Sequence, residues 1–275
     1  MSEQVWFITG ASSGFGEAFA RYALGQGHKV VAAARSVDRL AAIAAEAPDQ
    51  VLVQPLDVTK PGDAEVAIKA AVARFGRIDV LINNAGYGVV GAVEETPMDE
   101  LRAQMETNFF GAVAVTQAAL PTFRAQRSGA IVNVSSLGGQ LSMPGFGAYS
   151  ASKFALEGIC EALAAEMAPF GVKVLIVEPG SFRTNLAGGA MRHMPAIDAY
   201  AGTVGPTRDF AHAMHDTQPG DPAKAGPAIA KALAAEVTPL RLQLGADAVD
   251  MVRVHAQKLL ADLEVWAPVA LDTAF

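Results

Sequence analysis

Short apolar runs alternate along the chain with longer stretches in which apolar residues recur at helical spacing. A near-continuous apolar run is typical of a strand covered on both faces, and an amphipathic stretch is typical of a helix. Strands are predicted at Val5–Thr9, Lys29–Ala34, Val51–Pro55, Val80–Asn83, Ala130–Ser135, Lys173–Glu178 and Leu240–Leu244. Helices are predicted at Gly14–Gln26, Val37–Glu46, Gly62–Phe75, Met98–Arg124, Ser150–Phe170, Pro222–Ala235 and Asp247–Leu263.

This alternation predicts an α/β fold: a doubly wound, parallel, seven-stranded sheet of Rossmann type with helices on both faces. We expect one domain over residues 1–275, since no linker-like segment divides the chain. The stretch 180–220 breaks the rhythm with many glycines and prolines, so residues 185–220 are predicted to form a substrate loop or lid. Residues 245–275 are predicted to be a helical extension. Its Trp266 and Phe275 either cover the substrate pocket or pack on another subunit, and the pattern leaves both open.

Composition and charge narrow the classes of function. The chain is 51% hydrophobic, which excludes a disordered chain, and its net charge of −7 disfavours nucleic acid or an anionic membrane as partner. A lone cysteine, Cys160, cannot form an internal disulfide and is expected to be buried and inert. No apolar run is long enough to span a membrane and no leader pattern opens the chain, so a cytoplasmic location is expected. His212 and His215 have helical spacing but no strong third ligand, so no metal is expected.

The turn after the first strand carries the first chemical signal. Residues 9–16 read T-G-A-S-S-G-F-G and lead into a helix. Glycines permit a tight turn and a close approach of the backbone to a pyrophosphate, and the helix N-terminus favours negative charge. A βα loop that needs positive φ would show the same glycines, but the position after the first strand favours a dinucleotide site.

The end of the second strand indicates which dinucleotide. An NAD site usually has a carboxylate there, whereas this strand ends in Ala34 and is followed by Arg35 and Ser36. A guanidinium binds a 2′-phosphate through two hydrogen bonds. NADP(H) is therefore favoured over NAD(H), the alternative being that Arg35 is a solvated loop residue.

A second cluster combines a phenol, an amine and a hydroxyl. Tyr149 and Lys153 are four residues apart and share a helix face, and an ammonium near a phenol lowers the phenol pKa. Ser136 follows a strand 13 residues earlier, so a short loop brings its hydroxyl beside Tyr149 at the carboxyl edge of the sheet. Tyr149 is thus a candidate general acid and base.

Together these segments resemble the short-chain dehydrogenase/reductase family, in the branch with a T-G-x-x-x-G-x-G turn. The nearer resemblance is to its hydroxysteroid- and retinol-dehydrogenase-like subgroup. The matching segments, in the family's order, are Thr9–Gly16, Asp57-Val58-Thr59, Asn83-Asn84-Ala85-Gly86, Asn108, Ser136, Tyr149 with Lys153, and Pro179-Gly180 with Thr184. They cover about two thirds of the chain.

The resemblance implies a catalytic tetrad of Asn108, Ser136, Tyr149 and Lys153. Tyr149 would exchange the hydroxyl proton, Ser136 would bind the substrate oxygen, Lys153 would hold the nicotinamide ribose and tune Tyr149, and Asn108 would hold a relay water. The implied cofactor-binding residues are Gly10, Ser12, Ser13, Gly14, Phe15, Gly16, Arg35, Ser36, Asp57, Val58, Asn84, Ala85, Gly86, Tyr149, Lys153, Pro179, Gly180, Phe182 and Thr184. Asn83 is expected to brace its strand.

The predicted activity is NADP(H)-dependent interconversion of a carbonyl and a primary or secondary alcohol on a lipophilic small molecule, because mostly apolar residues occupy the loops around Ser136 and after Gly180. Arg192 and His193 are taken as solvated rather than as contacts for an anionic substrate. A non-catalytic NADP(H)-sensing protein on the same fold is the alternative, although it would be expected to have lost Ser136, Tyr149 or Lys153. A nucleotide-sugar epimerase or dehydratase is disfavoured because it usually has a different glycine spacing. The resemblance implies a homodimer or homotetramer, with the helices at Met98–Arg124 and Ser150–Phe170 as the dimer face.

Overall fold

The computed structural model describes residues 3–186, 189–214 and 216–273. Most of its strands lie close to the predicted apolar runs. They are β1 Val5–Thr9, β2 Lys29–Ala34, β3 Val51–Pro55, β4 Val80–Asn83, β5 Gly88–Val90, β6 Gly129–Val134, β7 Val172–Pro179, β8 Met191–His193 and β9 Arg241–Leu244. Seven of them form one parallel sheet in the order β3-β2-β1-β4-β6-β7-β9. The predicted Rossmann-type sheet is therefore confirmed.

The helices cover both faces of this sheet. They are α1 Gly14–Gly25, α2 Ala41–Glu46, α3 Asp63–Phe75, α4 Met98–Met105, α5 Gly111–Gln126, α6 Gly147–Met167, α7 Gly205–Ala213, α8 Ala225–Ala234 and α9 Ala246–Leu271. One cluster of buried apolar residues lies on the face that carries α3, α5 and α6, and a second lies on the face that carries α1 and α8. Side chains that alternate along the central strands fill the two clusters, which is why these strands are mostly apolar.

Two helices differ most from the predictions. The stretch predicted as one helix over Met98–Arg124 is divided by a π-helical turn at Glu106–Phe110, where the Asn108 side chain bonds the backbone of a neighbouring loop. The last helix continues eight residues past the predicted end at Leu263, to Leu271, although it contains Pro268, a residue that is disfavoured in a helix interior. No helix of the described ranges is long and apolar enough to cross a membrane.

The stretch predicted to be a loop or lid contains more regular structure than expected. Its strand β8 pairs in parallel with the short strand β5, which follows β4, and helix α7 comes after them. The Arg208 guanidinium in α7 donates to the buried Glu95 carboxylate at 2.6 Å and to the Met194 carbonyl at 2.7 Å. These contacts fix α7 and β8 to the body of the protein, so the described part of the segment forms a wall over the carboxyl edge of the sheet.

Candidate active site

A cleft of about 800 Å³ lies at the carboxyl edge of the sheet. It is lined by the β1–α1 turn, the ends of β2, β4 and β6, the start of α6 and the loop after β7. The predicted site residues line this cleft except Gly16 and Asn108, which lie behind its wall. The structure thus brings together residues that are up to 174 positions apart (184 − 10) in the chain.

The β1–α1 turn has the backbone that its glycines permit. Gly10 and Gly14 have φ angles of +65° and +56°. A Cβ atom on Gly16 would collide with the Gly10 carbonyl oxygen and lie 2.7 Å from the Asn84 amide nitrogen. The Asn84 amide in turn donates to the Thr9 carbonyl at 3.0 Å. The result is a bare backbone cradle at the start of α1, and such a cradle fits the pyrophosphate of a dinucleotide.

The end of the cleft beside β2 is positively charged. Arg35 and Arg39 are both exposed and both line it. Opposite them, burial acts against ionisation of Asp57, but hydrogen bonds from the Thr59 hydroxyl and N–H hold its pKa below the ordinary value, with a smaller effect of Arg35. Sequence reasoning missed Arg39, although its spacing of four from Arg35 at the start of a predicted helix was an available signal.

Tyr149 and Lys153 lie on the first turns of α6. The helix begins at Gly147, three residues before the predicted start, so Tyr149 is inside it. The Lys153 amine donates to the Val134 carbonyl at 2.8 Å and lies 5.8 Å from the centroid of the Tyr149 ring. Ser136 hydrogen-bonds Tyr149 and also accepts from the Gly138 N–H at 3.0 Å. Three of the four predicted catalytic residues, Ser136, Tyr149 and Lys153, therefore lie together in the cleft.

The pKa of Tyr149 differs from the expectation. Burial raises it above its ordinary value, and the hydrogen bond with Ser136 opposes that rise only in part. Burial also lowers the pKa of Lys153 to about 8, while the charge of Glu157 opposes this shift. The predicted lowering of the Tyr149 pKa by Lys153 is wrong, because the effect of desolvation on the phenol is larger than any effect of the Lys153 ammonium, which is bonded to the Val134 carbonyl.

Asn108 lies in the π-helical turn between α4 and α5. Its amide donates to the Tyr87 carbonyl at 3.0 Å and to the Ser152 hydroxyl at 3.2 Å, and its oxygen accepts from the Tyr87 N–H at 3.1 Å. All three contacts hold neighbouring parts of the protein. Asn108 therefore fixes the loop after β4 to α6, next to the Lys153 turn. Turns of this kind recur at functional sites.

A buried carboxylate cluster supports the loop that carries Ser136, and sequence reasoning missed it. The Gln140 amide donates to Glu157 at 2.9 Å and to Glu178 at 3.2 Å, and Arg241 pairs with Glu157 at 2.9 Å. Burial, followed by the charge of Glu157, raises the pKa of Glu178 to about 7. These residues come from α6, β7 and β9 and are far apart in sequence, so no local sequence motif predicts the cluster.

The loop after β7 is held from the other side by the start of α9. The Asp247 carboxylate accepts from the Ser181 N–H at 2.7 Å, and a Cβ on Gly180 would collide with that carboxylate. The Phe182 ring packs on Phe15 with centroids 5.0 Å apart, so this loop also closes against the glycine turn. Asp247 is a further residue that sequence reasoning did not single out.

The outer part of the cleft is mostly apolar. Its lining there includes Leu137, Leu141, Met143, Phe146, Leu186, Met191, Phe210 and Met214. Arg192 also lines it, but the guanidinium pairs with Glu100 at 2.9 Å and lies over the Tyr87 ring. His193 is not solvated as expected, since it is half-buried and stacks on His212 with centroids 4.2 Å apart.

The remaining candidates are structural or lie outside the described residues. Cys160 is buried, and burial raises the pKa of its thiol to about 12, as expected for an inert cysteine. Asn83 bonds Thr116 and Asn133 at 2.8 Å each and so braces β4. His215 lies outside the described residues, and within those residues no group of three metal-ligating side chains is close enough to hold an ion.

The doubly wound sheet, the glycine cradle and the Ser–Tyr–Lys cluster define a dinucleotide-binding fold with the side chains of a dehydrogenase or reductase. Residues 4–194 match the short chain dehydrogenase family. The chain therefore belongs to the short-chain dehydrogenase/reductase family. It is an oxidoreductase acting on CH–OH or C=O groups, and members of this family bind nicotinamide cofactors.

Individual relatives extend over the whole chain. The oxidoreductase BOA17 of Botryotinia fuckeliana is 39% identical over 98% of this chain and 99% of its own length. A 3-ketodihydrosphingosine reductase of Bacteroides thetaiotaomicron is 37% identical over 98% and 94%. A crystal structure of a short-chain dehydrogenase from Streptomyces avermitilis is 50% identical, covers 100% of both chains and has a TM-score of 0.95.

Proposed function

We propose that this protein is an NADP(H)-dependent enzyme that interconverts a carbonyl and an alcohol on a lipophilic small molecule, with Tyr149 as the general acid and base. The observation that carries the proposal is the convergence of Ser136, Tyr149 and Lys153 on a cleft that also contains the glycine cradle. A protein that only senses a nucleotide needs the glycine cradle but not the hydroxyls of Ser136 and Tyr149. The presence of both hydroxyls in the cleft therefore favours an enzyme over a sensing protein.

The chain's own residues supply the proton and the polarisation. The hydroxyls of Ser136 and Tyr149, which bond each other, would both contact the substrate oxygen. The raised pKa of Tyr149 keeps the phenol neutral at pH 7, which is the form that donates a proton to a ketone oxygen. Lys153 would stabilise the phenolate as it forms. Bound in the cradle, the nicotinamide cofactor supplies or accepts the hydride.

The preference for NADP(H) rests on the charge beside β2. Arg35 and Arg39 face the cleft where the ribose of the adenosine would lie, and hydrogen bonds between charged groups add more than neutral ones. We expect Arg35→Ala to raise KM for NADPH roughly 10- to 100-fold and to change KM for NADH little. Steady-state kinetics with both cofactors measure this. Arg124→Ala, an exposed arginine on α5, is the control, and equal effects of Arg35→Ala on both cofactors would disprove the preference.

The substrate class follows from the outer cleft. Its aliphatic, aromatic and methionine side chains match a lipophilic ketone or alcohol, and Arg192 is already paired with Glu100. The relative named for reduction of 3-ketodihydrosphingosine, a lipid ketone, supports the same class. The hydroxysteroid- and retinol-dehydrogenase-like subgroup is a narrower proposal, and it rests on sequence segments alone.

A substrate panel tests the function. We expect oxidation of NADPH with medium- and long-chain or ring ketones, and kcat/KM that rises with apolar chain length. Small charged ketones such as pyruvate serve as the matched control and are expected to react poorly. Tight binding of NADPH without turnover of any panel member would instead favour the sensing protein.

We also propose a homodimer, or a homotetramer built from it, through the helix face expected from the family. Phe110, Phe154 and Ile159 are exposed at 51%, 46% and 39% on the π-helical turn and on α6. Large apolar side chains that remain exposed on neighbouring elements are typical of a subunit contact.

A further inference from the structure

Two carboxylates lie side by side behind the loop that carries Ser136. Glu157 on α6 and Glu178 on β7 are 3% and 0% exposed, and we call them the carboxylate pair. The Gln140 amide nitrogen lies 2.9 Å from Oε2 of Glu157 and 3.2 Å from Oε1 of Glu178. The Nε atom of Arg241 lies 2.9 Å and 3.3 Å from the same two oxygens. Because both nitrogens reach both oxygens, the two carboxyl groups are close neighbours.

The charges around the pair do not balance two carboxylates. The only cation bonded to the pair within the described residues is Arg241, and it also binds the exposed Glu161 at 2.6 Å. Oε1 of Glu157 is buried without a hydrogen-bond partner in the described part of the chain. Two ionised carboxylates this close repel each other, and a buried anionic oxygen without a donor costs free energy. The geometry therefore favours one proton held between the two groups.

The pair contacts the Ser136 turn at two points. One is the amide of Gln140, at the end of the turn. The other is Gly139, where a Cβ atom would lie 2.6 Å from Oε1 of Glu157, so the backbone of the turn packs directly on that carboxylate. The same turn holds the Ser136 hydroxyl, which accepts from the Gly138 N–H at 3.0 Å. A change in the spacing of the pair therefore moves the backbone that places the Ser136 hydroxyl.

We propose that Glu178 is a positioning residue: the proton that it shares with Glu157 keeps the turn that carries Ser136 in the arrangement that binds the substrate oxygen. Loss of this proton to solvent leaves two negative charges that repel each other and displace the turn. Burial, followed by the charge of Glu157, raises the pKa of Glu178 to about 7, so the loss falls in the working range of pH. The effect on turnover rests on the proposed function, whereas the shared proton is a property of the folded chain.

The other charged or titratable groups that face the pair lie on β9 and α6. Arg241 stays charged throughout. Burial raises the pKa of the Cys160 thiol to about 12, so the thiol stays neutral. Glu161 is exposed and has no contact with the Ser136 turn. Lys153 precedes Glu157 by one helical turn, and burial lowers its pKa to about 8, so its titration has to be separated from that of the pair.

The pH dependence of kcat separates the two titrations. We compare ketone reduction by the wild type and Glu178→Gln from about pH 5.5 to about pH 9.5, at saturating NADPH. The glutamine N–H₂ takes the place of the shared proton and does not titrate. We expect the wild-type kcat to fall roughly 10-fold through a step near pH 7, and Glu178→Gln to retain most of the low-pH turnover without that step. Glu161→Gln removes a carboxylate that also binds Arg241 and is the matched control, with the wild-type profile expected.

Hydrogen exchange tests the position of the turn without any substrate. Peptides covering residues 135–141 should exchange faster in the wild type than in Glu178→Gln at about pH 8, and equally at about pH 6. Equal exchange of the two proteins at both pH values, or a step near pH 7 that persists in an active Glu178→Gln, would overturn the inference. The expected exchange difference without turnover of any ketone would contradict the proposed function and leave the shared proton in place.

Thermal unfolding checks that Glu178→Gln folds and gives an independent sign. A carboxyl group whose pKa is raised on folding, here from 4.5 to about 7, stabilises the folded chain at low pH, and this stabilisation is lost as the pH rises through 7. The Tm of the wild type should therefore fall relative to that of Glu178→Gln between these two pH values. A difference in Tm that is independent of pH would show that no proton is shared. Gln140→Leu, which cuts the link to the turn, should lower kcat at every pH and abolish the step near pH 7; a retained step would overturn the role of the turn.

Discussion

Replacing Tyr149 by phenylalanine is expected to lower kcat by about 10²- to 10⁴-fold while NADPH still binds. The change removes the hydroxyl that bonds Ser136 and leaves the ring in place on α6. Without it, the Lys153 amine is not free to take over as proton donor to the substrate oxygen, since it is bonded to the Val134 carbonyl. Steady-state turnover and a fluorescence titration of NADPH measure the two effects separately.

The matched control for this variant is Tyr22→Phe. Tyr22 lies on α1, where its ring packs on Trp6 with centroids 5.9 Å apart, and it does not line the cleft. We expect turnover and NADPH affinity of the control to stay within twofold of the wild type. Turnover of Tyr149→Phe near the wild-type value would show that another group transfers the proton. A parallel loss of NADPH affinity would show that the ring had moved, rather than that the proton donor was removed.

The sheet could be predicted almost completely because most of its strands are covered on both faces. Such strands are mostly apolar, and β1 to β4 begin and end at the predicted residues. The two-stranded sheet of β5 and β8 could not be predicted in this way. Its strands are only three residues long and lie more than 100 residues apart in the chain (191 − 88 = 103). In addition, β8 is not an apolar run, because Arg192 and His193 follow Met191.

The site was predictable where neighbours in sequence are also neighbours in the cleft. The glycine turn and the Tyr149–Lys153 pair are of this kind, since a helix or a turn fixes their geometry locally. The contacts that hold the site loops in place were not predictable, because they join elements that are distant in sequence. Asp247 bonds the loop after β7, and Gln140 bonds carboxylates from α6 and β7. The Tyr149 pKa was predicted in the wrong direction because its burial depends on the tertiary fold.

Gly16→Ala is expected to damage the cradle more than any other single methyl group there. The added Cβ would collide with the Gly10 carbonyl oxygen and lie 2.7 Å from the Asn84 amide nitrogen. The Gly10 oxygen belongs to the backbone, and the Asn84 amide is hydrogen-bonded to the Thr9 carbonyl. Moving either of them away from the new Cβ therefore costs free energy. We expect a loss of about 1–3 kcal/mol in the free energy of unfolding. Nucleotide affinity should fall as well, because Gly10 and the start of α1 must separate, and thermal unfolding with and without NADPH measures both.

Gly25→Ala, at the other end of the same helix, separates the steric effect from the general effect of replacing glycine. No atom lies within 4 Å of a Cβ built there, so the added methyl group meets open space. Alanine in a helix is favoured over glycine by roughly 0.5–1 kcal/mol, so this variant should be slightly more stable and bind NADPH normally. If Gly16→Ala unfolded like Gly25→Ala and kept its affinity for NADPH, the close approach of α1 to Gly10 would not be needed for the cradle.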